Sequence, residues 1–178
     1  MRMVIRLVPV LVVCWLCGRA DAAIWNINGA SCTPGDPAIQ NNRYFITAGS
    51  VNYPSTATGL VTLYCPIQPQ FLLAACFSGN VPLNNLLYLT YTDADGTGTD
   101  TSVTAQVIRL SVANGGLSTV TSALSSNSSS VTTPNKVTLS FAGTFDPTNF
   151  YYYVRVDLNR STTSHIATFY GVGLGCDV

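Results

Sequence analysis

The stretch from Phe150 to Leu158, FYYYVRVDL, constrains the chain more than any other feature. Phe150, Tyr152, Val154, Val156 and Leu158 fall on one parity and Tyr151, Tyr153, Arg155 and Asp157 on the other. A period of two sorts side chains into an apolar and a polar face only when the backbone is extended. The pattern recurs with Val103, Ala105 and Val107 against Thr104, Gln106 and Ile108, and with Val137, Leu139 and Phe141 against Thr138 and Ser140. More continuously apolar runs predict strands in RYFIT from Arg43, LVTLYC from Leu60, FLLAACF from Phe71, NLLYLTYT from Asn85, LSTVTSAL from Leu117 and IATFYGVGL from Ile166. About nine strands result, at the spacing of a sandwich or barrel. Between them stand Pro34-Gly35-Asp36-Pro37, Tyr53-Pro54-Ser55, Asn114-Gly115-Gly116 and Phe145-Asp146-Pro147, residues that fix φ or tolerate its positive range. No segment shows a capped stripe of helical period, and the serine-rich tract 125–130 reads as an exposed flexible loop. The expected fold is all-β: a two-sheet antiparallel sandwich, jelly-roll-like, with an immunoglobulin-like sandwich as the alternative.

The leading segment MRMVIRLVPVLVVCWLCGRADA has a basic start at Arg2 and Arg6, an apolar run from Leu7 to Cys17 and the small-x-small triplet Ala20-Asp21-Ala22. These are the parts of a secretory signal peptide over 1–22 with cleavage before Ala23. The apolar run is short for a membrane span, and Val13 and Leu16, standing before Cys14 and Cys17, do not suit a lipidation site. Residues 23–178 are expected to form one soluble, secreted domain, extracellular or periplasmic, large enough to bury a proper core. This portion holds five basic residues, Arg43, Arg109, Lys136, Arg155 and Arg160, against seven aspartates, a net charge of −2. That balance excludes nucleic acid as a partner.

Four cysteines lie beyond the leader, Cys32, Cys65, Cys76 and Cys176, and an even number in an exported chain predicts two disulfides. The preferred pairing is Cys32 with Cys65 and Cys76 with Cys176, each closing a loop worth on the order of 4–5 kcal/mol. The rival pairing joins Cys32 to Cys176 and Cys65 to Cys76. Neither the cysteine spacing nor the single histidine, His165, suits a zinc site.

The chain has no glutamate, yet TDADGTGTD, residues 92–100, gathers three aspartates. Hard cations take six to eight oxygen ligands, so Asp93, Asp95 and Asp100 are the candidate metal ligands and calcium the candidate ion; no other cofactor is implied. An EF-hand loop is excluded, because Thr104 stands at its twelfth position and strands flank it where helices are required. The plainer reading makes Asp95-Gly96 the turn of a β-hairpin.

Catalytic residues are none on this reading: His165 has no accompanying G-x-S-x-G, and a glycosidase would need a pair of aspartates drawn from turns. Tyr151, Tyr153 and Arg155 instead share the polar face of one strand, where flat rings beside hydrogen-bonding groups stack on sugars or anchor a protein. Asn127-Ser128-Ser129 and Asn159-Arg160-Ser161 match the glycosylation pattern. The expected function is non-catalytic binding of a glycan or an extracellular protein. A surface or filament subunit with an open strand edge, and a glycan hydrolase using aspartates, are the alternatives.

Overall fold

The computed structural model describes residues 22–72 and 84–176, the backbone alone for residues 22–24. Residues 1–21 of the expected signal and the cysteine at position 76 lie outside the described residues. The first sheet contains β1 (Ala22–Asn28), β3 (Phe45–Thr47), β4 (Ser50–Asn52), β6 (Asn85–Asp93), β10 (Asn135–Phe141) and β12 (Ala167–Cys176). The second contains β2 (Thr33–Pro34), β5 (Gly59–Pro66), β7 (Thr101–Ser111), β8 (Leu117–Thr119), β9 (Leu124–Ser125) and β11 (Phe150–Arg160). Every pairing among them is antiparallel. The long strands alternate between layers: β6 in the first sheet, β7 in the second, β10 in the first, β11 in the second, β12 in the first. The molecule is the expected two-sheet antiparallel sandwich, jelly-roll-like.

Alternation decides which side chains meet. On β11, Tyr152, Val154, Val156 and Leu158 are buried while Tyr151 and Arg155 are exposed. Against them pack Val61, Leu63, Val103, Ala105 and Val107 from the neighbouring strands and Leu87, Leu89, Tyr91, Phe169, Val172 and Leu174 from the facing sheet. Apolar burial of this kind stabilises by about 25 cal/mol per Å². Cys32 and Cys65 form a disulfide, tying the approach to β2 to the strand beside it. Cys176 is itself disulfide-bonded.

Three local expectations are corrected. Asp95-Gly96 does not close a hairpin: β6 and β7 lie in different sheets, so residues 94–100 form a crossover between layers. Both edges of β6 are already taken, by β10 and β12, and β7 has no edge left to join. The run from Phe71 does not begin as a strand, since Pro69–Leu72 is one helical turn, a start that suits proline, whose missing N–H has no helical partner there. The serine tract is not simply exposed loop: β9 is followed by a 3-10 turn, Ser126–Ser128, and Ser126 is fully buried.

Candidate functional site

The outer face of the second sheet carries the three tyrosine-strand residues. Register places Tyr153 between Pro66 of β5 and Ile108 of β7, and Arg155 between Tyr64 and Gln106. Tyr151 stands beyond them, paired with Leu110 and 60% exposed. Tyr64 was not legible as part of this group, because its strand reads as a buried apolar run; only the register brings it beside Tyr153. The two rings lie 5.3 Å apart with their planes at 87°, the edge-to-face arrangement that aromatic quadrupoles favour. One ring therefore offers a flat surface and the other an upright wall.

Tyr153 borders three depressions. One, of about 410 Å³, is lined by Thr33, Tyr64 and Pro66; a second, of about 240 Å³, by Tyr64, Gln106, Ile108, Leu117 and Arg155. The third, of about 220 Å³, runs along Pro66, Ile67, Phe150 and Tyr151. Burial raises the Tyr153 phenol above its usual range, Tyr64 adds to the rise and Arg155 pulls it part of the way back. Across the neutral range the hydroxyl therefore keeps its proton and remains a donor. Arg155 is held by Asp157 through Nε at 3.1 Å and Nη2 at 2.9 Å. Asp157 is held in turn by the Thr62 hydroxyl at 2.6 Å. This fork positions the guanidinium without using Nη1, so a sugar hydroxyl or carboxylate has a donor to meet.

The aspartates of the crossover meet elsewhere, at one end of the sandwich. Asp93 is fully buried; the Ser126 hydroxyl donates to its Oδ2, and the Thr101 hydroxyl lies 2.5 Å from its Oδ1. The same Thr101 oxygen is 2.5 Å from Asp95 Oδ1, while Asp95 Oδ2 accepts the backbone N–H of Asp100 at 2.7 Å and of Thr101 at 3.2 Å. Burial raises the Asp93 carboxyl, and its hydrogen bond to Asp95 raises it further against the hydroxyls of Ser126 and Thr101. Burial also opposes ionisation of Asp95, but the hydrogen bonds from Asp93, Thr101 and the two amides outweigh it and hold the carboxyl down at about 2. The two carboxyls are thus pushed apart in acidity, Asp93 upward and Asp95 downward.

Asp95 and Asp100 converge with His165, one ligand atom from each lying within 4.8 Å of the others; Asp93 is not part of this group. Three ligand atoms are few for calcium, and Asp95 already spends its oxygens on the loop. As a catalytic pair, Asp93 and Asp95 have the separated acidities a hydrolase uses, but a fully buried Asp93 meets no substrate. Asn127 donates to Gly98 O at 2.6 Å, so the first glycosylation motif has its amide engaged inside the loop.

No protein-family model matches the chain, and no curated protein matches it. Among solved structures, it is similar to the xylan-binding module CBM15 at 12% identity, covering 88% of this chain and 97% of that one, with a TM-score of 0.47. It is similar to the CBM36-1 domain of a multidomain xylanase from the hindgut metagenome of Trinervitermes trinervoides at 10% identity, covering 85% and 95%, with a TM-score of 0.41. A family two carbohydrate esterase from Cellvibrio japonicus is similar at 10% identity over 86% of this chain and 33% of the esterase, with a TM-score of 0.39.

Proposed function

We propose that the chain is a secreted, non-catalytic binding domain that takes a carbohydrate on the outer face of its second sheet. The observation that carries this reading is the perpendicular pair of Tyr64 and Tyr153 at the meeting point of the depressions. A pyranose ring has one face of C–H groups and a rim of hydroxyls. The negative face of one tyrosine attracts the C–H groups, the second ring stops lateral sliding, and Arg155, Gln106 and the Tyr153 phenol meet the rim. Tyr151 extends the surface for a further sugar unit.

Aromatic anchors of this type carry a disproportionate share of binding free energy. Screening the chain on a glycan array, then titrating the best oligosaccharide into Tyr153→Ala and Tyr151→Ala, tests the proposal. Tyr153→Ala should weaken binding by about 2 kcal/mol, roughly 30-fold, and Tyr151→Ala by less. Tyr151 is mostly solvent-exposed, so its variant should fold as the parent does. Binding that survives both substitutions, or a sugar-independent dimer dissolved by Tyr151→Ala, would assign this face to another role.

A further inference from the structure

The outer face of the first sheet holds a separate groove of about 360 Å³ lined by residues of β1, β12, β6 and β10. Four strands at about 4.8 Å spacing make it roughly 14 Å across, long enough for two or three sugar units. β12 presents Gly171 and Gly173 to the groove floor, and the Asn26 side chain lies over Gly173. A Cβ at Gly171 would stand 2.6 Å from the carbonyl oxygen of Ile27, and one at Gly173 would stand 2.9 Å from that of Trp25. Only glycine lets β1 press this closely on β12, and at Gly173 it also makes room for the Asn26 amide, a polar group on the groove floor.

The polar lining is Asn26 and Asn28 on one side and Thr90, Tyr170 and Lys136 on the other, with Tyr88 beneath the lysine. Tyr170 Oη lies 3.0 Å from Thr92 Oγ1, which orients the phenol. Lys136 is the only lysine in the chain. Its Nζ sits 4.6 Å above the centre of the Tyr88 ring, a cation–π placement that holds the ammonium over the groove. Among the described residues no acidic side chain lines the groove, and the ion pairs among them join Arg155 to Asp157 and His165 to Asp100. The groove therefore combines neutral amides and hydroxyls with one cation that has no carboxylate partner among the described residues.

From this we infer that the groove is a second saccharide site, selective for an acidic oligosaccharide whose uronate carboxylate meets Lys136 Nζ. A single point-like ammonium matches a singly charged carboxylate, while Asn26, Thr90 and Tyr170 supply the mixed donors and acceptors that ring hydroxyls need, and Asn28, whose Oδ1 accepts from Ser31, adds its amide N–H groups. The site lies on the opposite face of the sandwich from Tyr153, so it stands or falls independently of that platform.

Calorimetric titration of the full chain with tetragalacturonate, and with a neutral tetrasaccharide of glucose as control, distinguishes the outcomes. The acidic oligomer should bind at least tenfold more tightly than the neutral one, and added salt should narrow the gap. Lys136→Gln should remove that tenfold preference and Lys136→Arg should retain most of it. Lys136 is exposed, so neither lysine variant threatens folding. Equal affinity for both oligomers, no uronate binding at millimolar concentration, or a preference that survives Lys136→Gln would overturn the assignment. Loss of acidic binding in Tyr153→Ala alone would instead move the uronate to the other face.

Discussion

Two crossovers meet at one end of the sandwich and solve the same problem with opposite charges. The β6–β7 connection is organised by carboxylates that accept from amides and hydroxyls. The β11–β12 connection is organised by Arg160, fully buried, which only donates: Nε to His165 O at 2.6 Å, Nη1 to Pro54 O at 2.7 Å and Ala57 O at 2.9 Å, and Nη2 to Thr163 O at 2.7 Å. A guanidinium has five N–H groups in a fixed fork and does not titrate in the accessible range. A carboxyl pair gains or loses a proton. The difference is that one corner should be indifferent to pH and the other should not, although both bury charge-bearing groups at the ends of strands, Asp93 on β6 of the first sheet and Arg160 on β11 of the second.

Arg160 gives the largest expected effect. Four carbonyls share its N–H groups, and the ring of Tyr53, whose hydroxyl is 2.6 Å from Leu158 O, lies 5.9 Å from its guanidinium. Arg160→Met preserves much of the volume but orphans the carbonyls, each costing about 1–3 kcal/mol if it stays dry. The variant should lose about 4 kcal/mol or more by urea unfolding, by the same amount at pH 4 and pH 8. A loss below about 1 kcal/mol would mean that water enters and the corner is not held by the arginine at all.

The acidic corner predicts a smaller loss with a pH signature. Asp93 has a raised carboxyl in the folded chain, so its contribution is complete below the unfolded value and disappears as pH rises through the folded one. Asp95 is depressed to about 2, so its contribution is present above the unfolded value and disappears as pH falls toward that figure. Because the two are linked, the observed steps belong to the pair. Asp93→Asn removes the raised carboxyl, and should flatten the limb along which stability falls as pH rises. Asp95→Asn should cost about 1–2 kcal/mol near neutral pH and remove most of the acid limb. Parallel profiles for both variants and the parent would show that these two carboxyls do not set the pH dependence.

The alternation that fixes β11 was readable because one strand's two faces differ in polarity over nine successive residues. Carried one step past Leu158 and Asn159, the same parity points Arg160 inward, and a charge on the apolar side was the signal for this corner. Its partners, at positions 54, 57, 163 and 165, come from segments whose proximity depends on the whole fold. Asp95-Gly96 misled for a related reason: a turn looks alike locally whether it returns within a sheet or crosses to the other, and the occupied edges of β6 make the choice. Ser126 reads as one polar residue in a serine run, and only the buried Asp93 explains its position. In the candidate site, Tyr151, Tyr153 and Arg155 followed from parity alone, whereas Tyr64, Ile108 and Gln106 depend on cross-strand register, which local sequence leaves open.

The smallest expected effect lies where the two corners touch. His165 Nδ1 is 3.1 Å from Asp100 Oδ2, with the two side chains 41% and 35% exposed. Beside them the Ser161 N–H donates to Asp100 O at 2.7 Å. That backbone bond joins the loops whatever the imidazole does, and an exposed ion pair is worth at most about 1 kcal/mol and is screened by salt. His165→Gln should therefore cost well under about 1 kcal/mol, and combining it with Asp93→Asn, which lies outside the Asp95, Asp100 and His165 group, should give the sum of the single losses. A coupling above about 0.5 kcal/mol in that double-mutant cycle would mean that the acidic corner extends through Asp100 into the arginine corner. The two would then open as one unit, and the pH dependence predicted for the first should appear in hydrogen exchange at the amides of the second.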